Sequence, residues 1–240
     1  CQPRCQYKFG HVKFSTPVLK DLEQRNMMYP AIDVVYPPVE LSQDTALADI
    51  LKHKGKDPKR VKIVQLGRIF SGRQNKGHRV AIQALRALNA NASDSLVYEL
   101  NIIGNIHPRF ERYAKLLQTE AADLEVKFHF GVKSTTLLRL LDEGDFIWHL
   151  TGVDLMDENS DPASYEHFGI SVVEGMSHGL VPIIYRKGGV TEIPGQFGYE
   201  VSGAETLVTT TRYAAHHRQT PAEQAAMMEH VRQFGKEAFT

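Results

Sequence analysis

From residue 61 onwards, the sequence alternates short apolar runs with amphipathic stretches, and this alternation is the feature that most limits its possible folds. Short apolar runs bounded by glycine or polar residues predict buried strands. The predicted strands are 61–66, 98–104, 126–131, 145–150, 180–186 and 198–203. The predicted helices between them are 77–88, 108–124, 134–144 and 169–179. Strands joined through helices need crossover connections, so we expect an α/β fold with a doubly wound, Rossmann-like parallel sheet and helices on both faces.

Two end segments stand outside this alternation. Residues 1–60 contain a helix-like piece at 16–24 and an extended piece at 32–40, in which two prolines enforce extension. Residues 220–239 have the pattern of a helix, with Thr220 as its N-cap. The α/β unit is therefore expected to lie between a different N-terminal segment and a final helix.

Charge and cysteine content argue against several classes of protein. The 240 residues include 28 Lys plus Arg and 28 Asp plus Glu, and this balance argues against a dedicated nucleic-acid or membrane-surface binder. No apolar run approaches the roughly 20 residues of a membrane span, so we expect no transmembrane segment. The only cysteines, Cys1 and Cys5, cannot form a disulfide scaffold or a complete zinc site. These features fit a cytoplasmic protein.

A basic loop follows the first predicted strand. Gly67 permits a tight turn, Arg68, Arg73 and Lys76 supply cations, and Gly77 opens the next helix. Cations beside a helix N-terminus form an anion site, because free amides and the helix dipole add to the side-chain charge. The loop lacks the pattern of a P-loop. A solvated surface loop is the alternative reading.

A long loop, residues 151–168, follows the strand 145–150, and loops of this length in compact domains are usually functional or disordered. It contains four acidic residues that could suggest a metal site: Asp154, Asp157, Glu158 and Asp161. They lack the spacing of a calcium loop, and the chain contains no Asp-x-Asp pair. We therefore expect no bound metal.

Two glutamates flank the start of the predicted helix 169–179. The helix has apolar residues at Ile170, Val172 and Val173 and should be buried against the sheet, so Glu174 within it needs a partner. The vicinal hydroxyls of a sugar would provide one, since a carboxylate can accept two hydrogen bonds from them. Glu166 lies before the helix, near its positive end. An ion pair for Glu174 and an ordinary helix-end charge for Glu166 remain open as alternatives.

Together these segments resemble the C-terminal, nucleotide-sugar-binding half of a retaining glycosyltransferase of the group 1 family, which has the GT-B fold. The two glutamates match the E-x7-E motif of that family. The residues that carry the resemblance are Gly67-Arg68, Lys76-Gly77-His78, Glu166 to Ile170 with Glu174, Gly188-Gly189-Val190 and Glu192.

The resemblance implies a role for each matching residue. Arg68 and Lys76 would hold and stabilise the diphosphate, Glu174 would hold the ribose hydroxyls, and Glu166 would contact the transferred sugar. Val132 and Lys133 would border the base. The other donor contacts would come from loop residues and their amides: Gly67, Phe168, Gly169, Ile170, Gly189 and Val190.

The implied reaction is transfer of a hexose from a nucleoside diphosphate sugar to an acceptor, with retention at the anomeric carbon. Its cations and helix dipole would replace a metal, and no cofactor other than the donor substrate is expected. Among the subgroups of the family, the stretches "EHFGISVVE" and "VYPP" look most like eukaryotic-type mannosyltransferases that use GDP-mannose, so the resemblance favours GDP-mannose over a UDP-sugar.

The resemblance also predicts the domain organisation. Residues 1–31 look like a remnant of the N-terminal domain, and residues 32–240 look like the donor-binding domain with its C-terminal helix. The N-terminal acceptor-binding domain of the family is expected to be absent, and it would be the part that brings the protein to the cytosolic face of a membrane. A non-catalytic nucleotide-sugar-binding module and one half of a nucleotide-sugar epimerase are the alternatives.

Overall fold

A computed structural model describes residues 36–41, 57–155 and 162–239. In these residues, six strands form one parallel sheet in the order β3-β2-β1-β4-β5-β6. The strands are β1 (Arg60–Leu66), β2 (Val97–Gly104), β3 (Val126–Phe130), β4 (Phe146–His149), β5 (Val181–Tyr185) and β6 (Tyr199–Val201). The helices are α1 (His78–Asn89), α2 (Glu111–Glu120), α3 (Ser134–Glu143), α4 (Ile170–Ser177), α5 (Ala204–His216) and α6 (Pro221–His230). The predicted doubly wound α/β fold is confirmed.

Alternation along β1 separates the two faces of the sheet. Val61 and Ile63 point into a large cluster formed with α1, α2 and α5. Val64 points the other way, towards Leu140 and Leu141 of α3. Helices α4 and α6 pack together on this second face, where Met176 and Met227 share one cluster. Both faces of the sheet are therefore covered, as a parallel sheet requires.

The strand order places a crevice between β1 and β4. The chain leaves β1 for β2 and β3 on one side and returns to β4 on the other side, next to β1. The loops that follow β1 and β4 therefore diverge from the same edge of the sheet. Ligands of such sheets bind outside the carboxyl ends of the strands at this point.

Helix α5 was not predicted from the sequence. Its segment contains three consecutive threonines, and β-branched residues have only modest helix propensity. Burial outweighs that weakness, because Leu207, Thr211, Ala214 and Ala215 form a buried stripe. This stripe packs in the same cluster as α1.

The C-terminal segment is less regular than predicted. Helix α6 ends at His230 and gives way to short 3-10 turns at Val231–Phe234 and Lys236–Phe239. The Phe234 carbonyl accepts a hydrogen bond from the amide of Val39 over 2.9 Å. A continuous helix to residue 239 is therefore wrong, because the segment folds back to pair with residues 36–41 and bury Phe234.

Two further predictions have different outcomes. The helix 108–124 is shorter than predicted, since a 3-10 turn at Pro108–Phe110 precedes α2 and α2 ends at Glu120. The helix at 16–24, residues 32–35 of the extended piece and the boundary at residue 31 lie outside the described residues. Within the described ranges, no helix has the length and apolarity needed to cross a membrane.

Candidate functional site

The loop after β1 starts with close packing of the backbone. Gly67 directly follows the strand, and a Cβ on Gly104 would lie 1.8 Å from the carbonyl oxygen of Gly67. The side chain of Lys76 crosses Gly67, because a Cβ on Gly67 would lie 3.2 Å from Lys76 Cγ. Gly67 thus lets the lysine stem lie against the backbone at the end of β1.

Gly77 brings the start of α1 against the loop after β4. Its φ of +67° lies in the left-handed region, and a Cβ there would lie 2.7 Å from both the Cβ and the carbonyl oxygen of Leu150. Glycine is therefore required for this approach. As a result, Lys76 reaches Thr151, and its Nζ donates a hydrogen bond to Thr151 Oγ1 over 3.3 Å.

Three side chains converge on one carboxylate oxygen of Glu166. Lys76 Nζ donates to Glu166 Oε2 over 2.7 Å, Thr151 Oγ1 donates over 3.4 Å, and His149 Nε2 lies 3.1 Å from the same oxygen. The second oxygen, Oε1, accepts from the amide of His167 over 3.0 Å. This cluster lies at the carboxyl ends of β1 and β4, beside the crevice between them.

These contacts favour the ionised form of Glu166. Burial by itself raises the pKa of the carboxyl, but the hydrogen bond from His149 and the charge of Lys76 outweigh burial and hold the pKa well below its usual value. Glu166 is therefore an anion at neutral pH. It can accept hydrogen bonds or stabilise positive charge, but it does not donate a proton.

The glycine loop after β5 fixes the backbone of Glu166. Gly188 pairs with Glu166 in a parallel bridge, and the amide of Gly189 donates to the Glu166 carbonyl over 2.8 Å. Gly188 has a φ of +90° and a ψ of −176°. A Cβ on Gly188 would lie 2.3 Å from that carbonyl oxygen. The loops before α4 and after β5 thus act as one unit.

Val190 turns its side chain away from the crevice. The side chain is buried in the core cluster beneath α4, and a Cβ on Gly169 would lie 2.7 Å from Val190 Cγ2. Any contact of Val190 with a donor would therefore involve its backbone. The amide of Gly189 is already bonded to Glu166.

The carboxylate of Glu174 differs from that of Glu166 in its contacts. It lies half-buried on α4, and within the described ranges no side chain or amide forms a hydrogen bond or ion pair with its carboxylate. Burial raises its pKa. The alternative of an ion pair to Lys or Arg is not realised among these residues, so the carboxylate keeps its capacity to accept hydrogen bonds from a ligand.

The start of α4 presents free backbone amides. Gly169 precedes the helix with a φ of +98°, and no described acceptor receives a hydrogen bond from the amides of Phe168, Gly169 or Ile170. Phe168 itself is buried against Tyr36. The expectation that Ile170 is buried is wrong, because its side chain is 48% exposed at the first position of the helix.

Arg68 does not join the Glu166 cluster. Its guanidinium lies 5.6 Å from the centre of the Phe70 ring, in a groove of about 530 Å³ between the loops after β1 and β2. Arg73 instead donates from Nε to Ser164 Oγ over 3.2 Å. Of the three cations in the basic loop, the structure therefore brings only Lys76 to Glu166.

Val132 and Lys133 lie at the far side of the sheet, in the loop between β3 and α3. Val132 packs against the cluster beneath α3, and Lys133 is exposed at the N-cap position of that helix. Strands β2 and β1 separate this loop from β4. A ligand that touches both Glu166 and Lys133 would therefore have to extend along the carboxyl edge of the sheet.

The acidic loop gives no sign of a metal centre in the part that can be described. Asp154 accepts hydrogen bonds from Asn75 Nδ2 at 3.2 and 3.0 Å. Asp157, Glu158 and Asp161 lie outside the described residues. Elsewhere in the described chain, no group of three or more His, Cys, Asp or Glu side chains could hold a metal ion.

Two residues of the cluster, His149 and Thr151, were not singled out from the sequence. His149 is the last residue of β4 and is buried, with 4% exposure. A polar residue that ends an otherwise apolar strand at the ligand edge was the available signal. Its contact with Ser171, whose Oγ lies 3.2 Å from His149 Nδ1, depends on the packing of α4 and has no local signature.

Comparison with known families identifies the chain. The family described as glycosyl transferases group 1 matches residues 48–206, which include Gly67, Lys76, Glu166, Glu174 and the glycines at 188 and 189. This chain belongs to the group 1 glycosyltransferase family. The resemblance inferred from the sequence is thus confirmed at the level of the family.

Solved structures of glycosyltransferases share the fold. A glycosyltransferase from Rickettsia africae superposes with a TM-score of 0.66 and 18% identity, covering 92% of this chain and 57% of its own. Anabaena Alr3699/HepE in complex with UDP and glucose gives a TM-score of 0.63 and 18% identity, covering 86% and 54%. The C-terminal domain of the group 1 protein LpcC from Francisella tularensis gives 0.53 and 19%, covering 86% and 96%.

These coverages define what the chain corresponds to. It spans little more than half of the Rickettsia and Anabaena proteins but nearly the whole of the isolated LpcC domain. Its fold is therefore that of one Rossmann-like domain of a GT-B glycosyltransferase. A search of curated proteins returned no match.

Proposed function

We propose that this chain is the donor-binding domain of a retaining glycosyltransferase that transfers a hexose from a nucleoside diphosphate sugar to an acceptor. The observation that carries the proposal is the contrast between the two glutamates. Glu166 is held by Lys76, His149 and Thr151 at the switch point, whereas the carboxylate of Glu174 on the adjoining helix has no partner among the described residues. A ribose diol offers the two hydrogen-bond donors that a carboxylate such as Glu174 can accept.

In this proposal, the donor lies along the carboxyl edge of the sheet. Its diphosphate binds Lys76 and, after a turn of the side chain, Arg68, while Val132 and Lys133 border the base. Glu166 binds the transferred hexose. The free amides of Phe168, Gly169 and Ile170 contact the hexose hydroxyls, and Gly67, Gly189 and Val190 contribute backbone surface.

The same residues account for the chemistry. Negative charge develops on the leaving diphosphate, and a cation together with the N-terminus of α1 stabilises that charge without a divalent metal. Because Glu166 is an anion, it favours positive charge that develops on the transferred hexose.

Two observations bear on the base of the nucleoside diphosphate donor. The UDP bound to Anabaena HepE supports a nucleoside diphosphate donor of this class, whereas the stretch 166–174 favoured GDP-mannose. We propose residues 32–240 as the donor domain, with transfer requiring an acceptor domain, and we retain the cytoplasmic location. Residues 32–240 by themselves are expected to bind the donor and not to turn it over.

Calorimetry with UDP, UDP-glucose, GDP and GDP-mannose tests the proposal. Glu174→Gln should weaken the diphosphate and the sugar conjugate by a similar factor, because the ribose is common to both. Glu166→Gln should weaken only the conjugate. A charge-assisted contact is worth about 1.5–3 kcal/mol, or roughly a 10- to 150-fold change in Kd. Equal effects of both substitutions on both ligands would refute the division of roles.

The metal requirement needs a separate titration. Affinity for the conjugate should be the same in EDTA and in excess magnesium, because Lys76 and the α1 dipole provide the neutralisation. A tenfold loss in EDTA, about 1.4 kcal/mol, would contradict this part of the proposal. It would also direct attention to the acidic residues of the loop after β4.

A further inference from the structure

The ammonium group of Lys76 has two assigned partners, Glu166 and the diphosphate of the donor. In the structure its Nζ lies 2.7 Å from Glu166 Oε2, yet the proposed function assigns it to the diphosphate. Its four-carbon stem can turn. When it does, Glu166 loses its only ammonium or guanidinium partner among the described residues, and another group must hold the carboxylate in place.

His149 is held in a fixed position next to Glu166. It belongs to β4, its side chain is 4% exposed, and both ring nitrogens have partners. Its Nε2 lies 3.1 Å from Glu166 Oε2, to which an Nε2–H group can donate, and its Nδ1 lies 3.2 Å from Ser171 Oγ. The imidazole is thus clamped between the strand and α4, whereas Lys76 comes from a loop.

Thr151 adds to this hold without replacing it. Its hydroxyl lies 3.1 Å from His149 Nε2 and 3.4 Å from Glu166 Oε2. Since a hydroxyl has one proton, it can donate to only one of its neighbours at a time. His149 is therefore the shorter and more rigid of the two neutral contacts to the carboxylate.

We propose that His149 is the positioning residue that holds Glu166 against the transferred hexose when Lys76 turns to the diphosphate. The inference rests on the proposed function. When the donor binds, Glu166 loses its contact with Lys76 and gains one with the hexose, and the His149 contact keeps the carboxylate in position during this change. His149 acts through Glu166 and does not touch the diphosphate. Its loss should therefore lower the affinity for the sugar conjugate and not the affinity for the diphosphate.

The test compares two polar substitutions that differ in reach. The amide of His149→Gln can approach the position of Nε2 and keep the bond to Glu166, whereas the shorter side chain of His149→Asn reaches only the Nδ1 side. His178→Leu is a matched control, because this histidine is also buried and bonded to a carboxylate, with 2.7 Å between Nδ1 and Asp142 Oδ1. It lies at the opposite end of α4 from Glu166.

Affinities for UDP and UDP-glucose, or for GDP and GDP-mannose if the wild type prefers them, give the answer. His149→Asn should weaken the conjugate about tenfold, roughly 1.4 kcal/mol, and leave the diphosphate within about threefold. His149→Gln should restore most of the loss, and His178→Leu should change neither affinity. In a Glu166→Gln background, His149→Asn should add nothing, because the pair acts as a unit.

The outcomes separate the two proposals. If the wild type binds no nucleotide or conjugate, the proposed function fails and this inference fails with it. If the wild type binds but His149→Asn weakens both ligands equally, leaves both unchanged, or acts additively with Glu166→Gln, then His149 is only structural. Thermal unfolding of each variant identifies any that do not fold, and His149→Leu then serves as a third test of the same contrast.

Discussion

Gly188→Ala should damage both the fold and sugar recognition, because Gly188 joins the loop after β5 to the backbone of Glu166. Its φ of +90° with a ψ of −176° is a conformation that suits glycine almost alone. The added Cβ would lie 2.3 Å from the Glu166 carbonyl oxygen and 3.1 Å from Tyr165 Cβ. The first of these atoms belongs to the backbone, so relief requires the two loops to separate.

The cost follows from these contacts. Backbone strain of this kind is worth about 1–3 kcal/mol. Separation of the loops also weakens the hydrogen bond from Gly189 to Glu166, 2.8 Å long, whose net worth is about 0.5–1.5 kcal/mol. Together we expect a loss of about 2–4 kcal/mol in the free energy of unfolding. For a chain of this size, that lowers Tm by roughly 4–16 °C.

Gly72→Ala is the matched control. Gly72 has a φ of +106°, but nothing lies within 4 Å of an added Cβ, so it isolates the backbone strain. In an exposed loop we expect that strain to cost about 1 kcal/mol. Urea unfolding of both variants gives the comparison, and calorimetry with diphosphate and conjugate gives a second readout. If Gly188→Ala is no more destabilising than Gly72→Ala, or if it keeps full affinity for the sugar conjugate, the proposed link to Glu166 is wrong.

Two further predictions concern groups whose pKa is shifted by burial. His78 is fully buried, neither ring nitrogen has a hydrogen-bond partner in the described structure, and burial together with the charge of Lys76 lowers its pKa to about 4. The unfolded chain takes up a proton on this histidine near pH 6.5, so the free energy of unfolding should fall as pH is lowered from about 6.5 to 4. In a pH series of urea melts, His78→Leu should reduce this fall. If the fall is unchanged in His78→Leu, His78 is not its cause. Burial raises the pKa of Glu174, so the free energy of unfolding should decrease as pH rises above the usual pKa of a glutamate. Glu174→Gln should therefore stabilise the free protein more at pH 7 than at pH 4, while it weakens nucleotide binding. Equal changes in stability at both pH values would contradict this.

The strands and most helices could be predicted from the sequence, because their periodicity is local. The run "VKIVQL" is apolar on both faces and became β1, the central strand next to the crevice. Helix α5 could not be predicted in the same way. Its threonines give a weak local pattern, and its existence depends on a groove against α1 that forms only once the sheet is assembled.

The candidate site shows the same division. Its glycines and Glu166 could be placed on loops that follow predicted strands, and Glu174 on the helix after the last of these loops, because the alternation shows which segment follows each strand. The direction in which each side chain points could not be predicted from the sequence. Arg68 lies over Phe70 while Lys76, eight residues later, reaches Glu166.

By itself, the sequence determined the α/β class, the family and the set of loops that form the site, because these depend on local periodicity and on motif spacing. Only the tertiary structure decided that Glu166 meets Lys76 and His149, residues 90 and 17 positions away, while the Glu174 carboxylate has no hydrogen-bond or ion-pair partner among the described residues. The reason is physical. Partners across loops are set by close backbone approaches such as Gly77 on Leu150 and Gly188 on Glu166, and these exist only when all the strands are in register.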